Sequence, residues 1–141
     1  MDELEPKKIT HNKICEFQKA MEKLPQVDVP LTHRFLDGLY SREVSMPKGS
    51  VVVSKTHKLE NLTIISQGEC IELTEGHERR HLKAPCTIIS EPGIKRALYM
   101  LEDTVWVTVH HNPSNTRDVK ELEQIYIKPD EDTLKQIEDE L

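Results

Sequence analysis

Two hydrophobic periods divide the chain. Ile14, Phe17, Met21 and Leu24 recur at three- and four-residue spacing, which makes one apolar stripe on a helix over about 12–25. Asn12 stands where an N-cap is expected, and Pro25 and Pro30 bracket the short linker that ends the helix. From about residue 33 to 111 the pattern changes to short β segments broken by turn signals. Pro47-Lys48-Gly49 is a turn, and Val51, Val52 and Val53 open a β-rich run that ends near His57. A β-branched run over 62–66 stops at Gln67-Gly68, and 69–73 alternates between its two faces. Thr74-Glu75-Gly76 predicts a hairpin turn that returns over 78–83. Further segments follow over 86–90, 98–101 and 104–110, with Glu91-Pro92-Gly93 as a turn. The helical period returns after Asn112-Pro113-Ser114-Asn115. Val119, Leu122 and Ile125 or Tyr126 share one side over 118–127 until Pro129 breaks the run, and Leu134, Ile137 and Leu141 predict a second amphipathic helix over 130–141. Short strands at near-regular spacing predict a mainly β sandwich or barrel over 33–111. An N-terminal arm and amphipathic helix (1–32) precede it, and a C-terminal helical acidic extension (112–141) follows.

Composition narrows this picture. A chain of 141 residues suits one domain with one core. Aromatics are only 4%, so Val, Ile and Leu must supply most of the core, while 31% charged residues and a mean hydropathy of −0.57 point to solvated extensions. The formal net charge of −6 disfavours broad nucleic-acid or anionic-membrane binding. The acid is concentrated at the end of the chain, where residues 130–141 hold six carboxylates and one lysine. The centre carries Lys48, Lys55, Lys58, Arg79, Arg80, Lys83, Lys95 and Arg96, which leaves room for a local basic patch. No apolar run approaches the ~20 residues of a membrane span, and the acidic start MDELEPKK is unlike a signal peptide. The expectation is a soluble protein made in cytoplasm.

No nucleophile elbow, phosphate loop or HExxH motif is present. Cys15, Cys70 and Cys86 are odd in number and lack CxxC spacing, so buried free thiols are expected rather than disulfides or a zinc knuckle. His110 and His111 fall on opposite strand faces and do not chelate together. His77, His81 and the pair Arg79-Arg80 sit on a hairpin and are expected in solvent.

GSVVVSKTHKLENLTIISQG (49–68) is similar to the first cupin motif, and EPGIKRALYM (91–100) is similar to the second. HRFLDGLYSREVSMPKGSVVVSKTH, ISQG, APCTIISEPGIKRALYMLEDTVWVTVHHNP and DVKELEQIYI together resemble small cupin-like proteins encoded by tailed bacteriophages. The resemblance implies a cupin-type double-stranded β-helix, or jelly roll, with terminal helices, in a phage-infected host cell or a virion. The turns match and the metal-ligand positions do not. Aligned on Gly68, the first-motif ligands fall on Lys55, His57 and Asn61, or, shifted by two residues, the pair falls on His57 and Leu59; the second-motif histidine falls on Arg96. His57 is the one ligand-type residue that survives. Lysine and arginine are cationic at neutral pH, and one imidazole is too few for a catalytic metal. No metal and no other cofactor is expected.

Lys55, His57 and Arg96 would place fixed positive or polar groups where a metal would sit, a pocket suited to a carboxylate or phosphate. Thr104, Trp106, Thr108 and His110 share one face of the last strand. If that face points inward, Trp106 can stack on a ligand and His110 can hydrogen-bond to it. If it points outward, Val105, Val107 and Val109 fill the core, and the valines have the stronger claim on volume.

Three functional readings follow. The leading one is a non-catalytic binding or assembly module that forms a homo-oligomer through barrel faces and the stripe Ile14, Phe17, Met21 and Leu24, with virion or host proteins as further partners. The second is a barrel-pocket binder of a small anion such as a nucleotide or sugar phosphate. The third is a metal-independent sugar isomerase or epimerase, with His57 paired to Glu60 or Glu72 as acid and base. An enzyme is the less favoured class.

Overall fold

The structure, a computed structural model, describes residues 10–26 and 28–128; the helix expected over 130–141 lies outside them. Helix α1 (His11–Glu22) is capped by Thr10, two residues before the expected cap Asn12. The Thr10 backbone is extended and its hydroxyl accepts from the Lys13 N–H at 3.2 Å, satisfying an otherwise orphaned donor. The apolar stripe is split: Ile14 is fully buried, Met21 is half-buried, and Phe17 and Leu24 are exposed.

The strands are β1 (Leu31–Leu36), β2 (Leu39–Met46), β3 (Val51–Val53), β4 (Thr56–His57), β5 (Asn61–Gln67), β6 (Glu69–Thr74), β7 (Arg80–Lys83), β8 (Cys86–Ser90), β9 (Arg96–Met100) and β10 (Thr104–His111). Helix α2 (Val119–Tyr126) and β11 (Ile127–Lys128) complete the described chain. One sheet has the order β1-β2-β10-β5-β8 and a second the order β3-β9-β6-β7, while β4 pairs with β11. The pairings within the sheets are antiparallel. The β-rich run from Val51 to His57 is therefore two strands: β3 pairs with β9 and β4 with the C-terminal segment. Among the described residues, no helix is long and apolar enough to cross a membrane.

Strand registers stack side chains in rows across the five-stranded sheet. One row runs Leu31, Val44, Trp106, Ile65, Cys86, and the next runs His33, Arg42, Thr108, Thr63, Ile88. Val44, Trp106, Ile65 and Cys86 of the first row meet Cys70, Leu98 and Met100 of the other sheet in the apolar core, which also holds Met46 and Leu82. Full burial of side chains such as Ile65 and Met100 stabilises the fold by about 1.5–3 kcal/mol each. The second row turns the barrel interior polar. Thr63 tolerates complete burial there because its hydroxyl bonds Asn61 Oδ1 at 3.0 Å and Ser90 Oγ at 2.7 Å.

The last strand reverses the volume argument. Thr104, Trp106, Thr108 and His110 are buried, whereas Val105, Val107 and Val109 are half-exposed on the outer face. The indole of Trp106 supplies core volume, and the polar groups beside it find partners inside. Gly68, between β5 and β6, has φ +98°, and a Cβ there would lie 2.4 Å from the Asp103 carbonyl oxygen, so the β5–β6 turn packs against β10 only without a side chain.

Candidate ligand-binding site

A cavity of about 300 Å³ lies between the two sheets. Its apolar walls include Val44, Val52, Leu98 and Trp106, and its polar lining includes Arg42, Lys55, His57, Thr63, Arg96 and Thr108. Five of the candidate residues thus surround one space: Lys55, His57, Arg96, Trp106 and Thr108. The sixth, His110, lines a second cavity of about 30 Å³ with Tyr40, His57, Leu122 and Tyr126. That volume holds about one water.

Arg96 opens β9 opposite Thr74. Its guanidinium stands 5.6 Å from the Trp106 ring centroid and 3.5 Å from Glu72 Oε2. Glu72 is fully buried and also accepts from Arg80 Nε at 2.7 Å. Arg80, expected free in solvent at the hairpin, therefore reaches back to the interior. Burial pulls the Arg96 pKa down and the Glu72 carboxylate opposes that pull. Lys55 belongs to the rim: its side chain is 59% exposed, with Nζ 3.9 Å from Glu123 of α2.

His57 and His110 form the centre of a ring stack. Their centroids are 5.5 Å apart, and His110 packs on Tyr40 at 5.7 Å and on Tyr126 at 4.8 Å. His110 Nε2 lies 3.0 Å from the Thr108 hydroxyl, while its buried Nδ1 has no hydrogen-bond partner. Burial first, then the neighbouring Arg96, Arg42 and Lys55, lowers the His57 pKa to about 4. Burial, His57 and Arg42 lower His110 to about 4. Both rings are neutral at pH 7 and serve as hydrogen-bonding groups rather than fixed charges. The acid–base pair expected of an isomerase does not form: Glu60 is exposed and Glu72 is held by arginines.

Arg42 escaped the sequence reading. It lies on β2 opposite Thr108, lines both cavities, and has no carboxylate within ion-pairing distance among the described residues. The usable signal was alternation through LYSREVSM, which puts Tyr40, Arg42, Val44 and Met46 on one face once the β1–β2 hairpin is assumed. The thiols are free: Cys70 is buried, and its pKa is pushed up to about 11 by burial and by Glu72.

No family model and no curated protein matches the chain in sequence. Solved structures do match in shape. A cupin superfamily protein from Desulfitobacterium hafniense DCB-2 aligns over 63% of this chain and 82% of its own, with 13% identity and a TM-score of 0.51. The Cnp3 cupin domain of Schizosaccharomyces pombe aligns over 73% of this chain and 70% of its own, with 15% identity and a TM-score of 0.52. Ectoine synthase from P. lautus aligns over 61% of this chain and 65% of its own, with 12% identity and a TM-score of 0.53. An enzyme and two proteins whose names give no activity thus share the architecture, and identities this low speak to fold alone. The chain has the cupin-type jelly roll, a double-stranded β-helix of two antiparallel sheets.

Proposed function

We propose that the protein is a non-catalytic binding module that holds a small anionic ligand inside its barrel. The observation that carries this reading is the cavity of about 300 Å³, with the Arg42 and Arg96 guanidiniums and the Trp106 ring in one apolar-walled space. Volumes of about 300–1,000 Å³ with few polar groups on apolar walls are typical of ligand sites. A thermal-melt screen against phosphate, nucleotides, sugar phosphates and small carboxylates tests it. A bound ligand stabilises the fold by about 2.7 kcal/mol at a hundredfold excess over Kd. Absence of any saturable shift defeats the reading.

No metal enters this proposal. Lys55 and Arg96, at two positions where metal cupins carry ligands, are ion-paired with Glu123 and Glu72. Among the described residues, no three His, Cys, Asp or Glu side chains converge. Purified protein is expected to carry less than about a tenth of an equivalent of transition metal, since a catalytic site needs three protein ligands. Elemental analysis near one equivalent, lost in His57→Ala, would refute this.

A second reading, assembly with further copies of this chain, has its own support. Leu62 and Ile89 pair across β5 and β8 on the outer sheet face and are 40% and 70% exposed. The half-exposed Val107 and Val109 adjoin Ile64 and Leu62 there, and Phe17 and Leu24 of α1 are also uncovered. A β-sheet face of this composition is usually covered. Light scattering at micromolar concentration is expected to show a dimer or larger, and Leu62→Glu or deletion of 1–25 to reduce it. A full-length monomer removes this reading. A phage setting is tested by mass spectrometry of purified particles.

A further inference from the structure

We infer that the ligand bears one carboxylate on an apolar body, and that Arg42 is the residue that receives the carboxylate. This rests on the reading of the barrel as a ligand site and narrows it. The argument is a charge account of the cavity. Lys55 is exposed at the rim and has Glu123 at 3.9 Å. Arg96 has Glu72 at 3.5 Å, on a carboxylate that Arg80 also engages. These cations arrive with their counter-charges built in. Arg42 does not: among the described residues it has no ion pair, although it is partly buried in the wall. Leaving a guanidinium partly desolvated without a partner is costly, and an arriving anion removes that cost.

The uncompensated charge is a single one, on a planar fork. Such a fork matches the two oxygens of one carboxylate. A phosphate dianion or a nucleotide's phosphates would need further unpaired cations, whereas the lining of the two cavities also carries the carboxylates of Glu91 and Glu123. Across the sheet from Arg42, Thr108 on β10 and Thr63 one strand further add two hydroxyls to the lining of the same cavity. Beyond them Val29, Val44, Val52, Ile94, Leu98 and Trp106 line the same cavity, and these suit an aliphatic or aromatic body better than a sugar.

Isothermal titration of the full-length protein tests this with octanoate, phenylacetate and indole-3-acetate, each against its primary amide, and with inorganic phosphate and AMP as competitors of other charge. At least one carboxylate is expected to bind saturably and about 10- to 100-fold more tightly than its amide, the worth of a charge-assisted hydrogen bond. In Arg42→Gln that preference is expected to vanish, and in Arg42→Lys to survive in part. Because Arg42 has no ion pair to lose, Arg42→Gln is expected to melt no lower than the parent protein, which separates a binding role from a structural one. Equal binding of acid and amide, an unaffected Arg42→Gln, or a preference for phosphate or AMP overturns the inference and leaves the barrel as a ligand site. Failure of every probe here, with no shift in the broader melt screen, overturns both.

Discussion

Replacing Arg96 with alanine lowers the unfolding free energy by about 3 kcal/mol, because it leaves a buried carboxylate short of a partner. Glu72 is fully buried, and its described cationic partners are Arg80 and Arg96. Arg80 is 47% exposed at the hairpin and its charge is partly screened, whereas Arg96 is 9% exposed and faces the carboxylate inside the barrel. The substitution also removes the guanidinium from the Trp106 face, a contact worth about 0.5–2 kcal/mol. Urea unfolding of Arg96→Ala measures the total. A loss below about 0.5 kcal/mol, the range of ordinary surface substitutions, would show that the pair contributes nothing. The double replacement Glu72→Leu with Arg96→Met is expected to recover much of the loss, since two buried charges leave together. This stability effect belongs to the protein without ligand, so it is read separately from the ligand response of Arg42→Gln.

Stability is expected to fall as pH drops from about 6.5 towards 4. His57 and His110 have ordinary pKa values of 6.5 and folded-state values of about 4. Between those limits the unfolded chain binds more protons than the folded one. The contribution is therefore complete above 6.5 and is lost as pH falls through the folded values. A depression of this size is worth at most about 3 kcal/mol for each ring. His57 is partly exposed, which discounts its share, whereas charging both rings 5.5 Å apart adds repulsion. A combined loss of about 3–5 kcal/mol is expected by pH 4. Arg42, Lys55, Arg96, Tyr40 and Tyr126 face the pair, and the carboxylate that shares the smaller cavity, Glu123, is already paired with Lys55. The charge lands where the C-terminal segment docks, because β4 carries His57 and pairs with β11 while Tyr126 of α2 packs on His110. Urea midpoints taken between pH 7 and about 4, on the parent and on His110→Gln, read the effect. A profile that is flat in the parent, or equally steep in the variant, contradicts it.

Local chemistry made most of the architecture legible. The turns at Gly49, Gly68 and Gly93 interrupt the chain where strands end, because their backbones take φ values that side chains disfavour. Val119 and Leu122 carry a helical period that α2 follows within a residue at each end. These features depend on neighbours a few positions apart, and the sequence states them directly. The candidate site was partly legible: the resemblance to the two cupin motifs pointed to His57 and Arg96, alternation in β10 pointed to Trp106 and Thr108, and the four share the cavity. Arg42 was hidden because polar His33 and Arg42 occupy the inner face of the β1–β2 hairpin, which blurs the apolar alternation that marks a half-buried strand. The orientation of β10 was undecidable locally, since a strand with valines on one face and Thr, Trp and His on the other is amphipathic either way. Pairing with Val44, Arg42 and Ile65 settled it. Nor could sequence choose between Glu60 and Glu72 as the inner carboxylate. Glu72 is selected because β6 lies between β9 and β7, bringing arginines from both sides to one buried group. Period and turn chemistry are written in adjacent residues, whereas charge compensation is settled between strands far apart in the chain, and only the packed barrel decides which cations are already paired and which one is left.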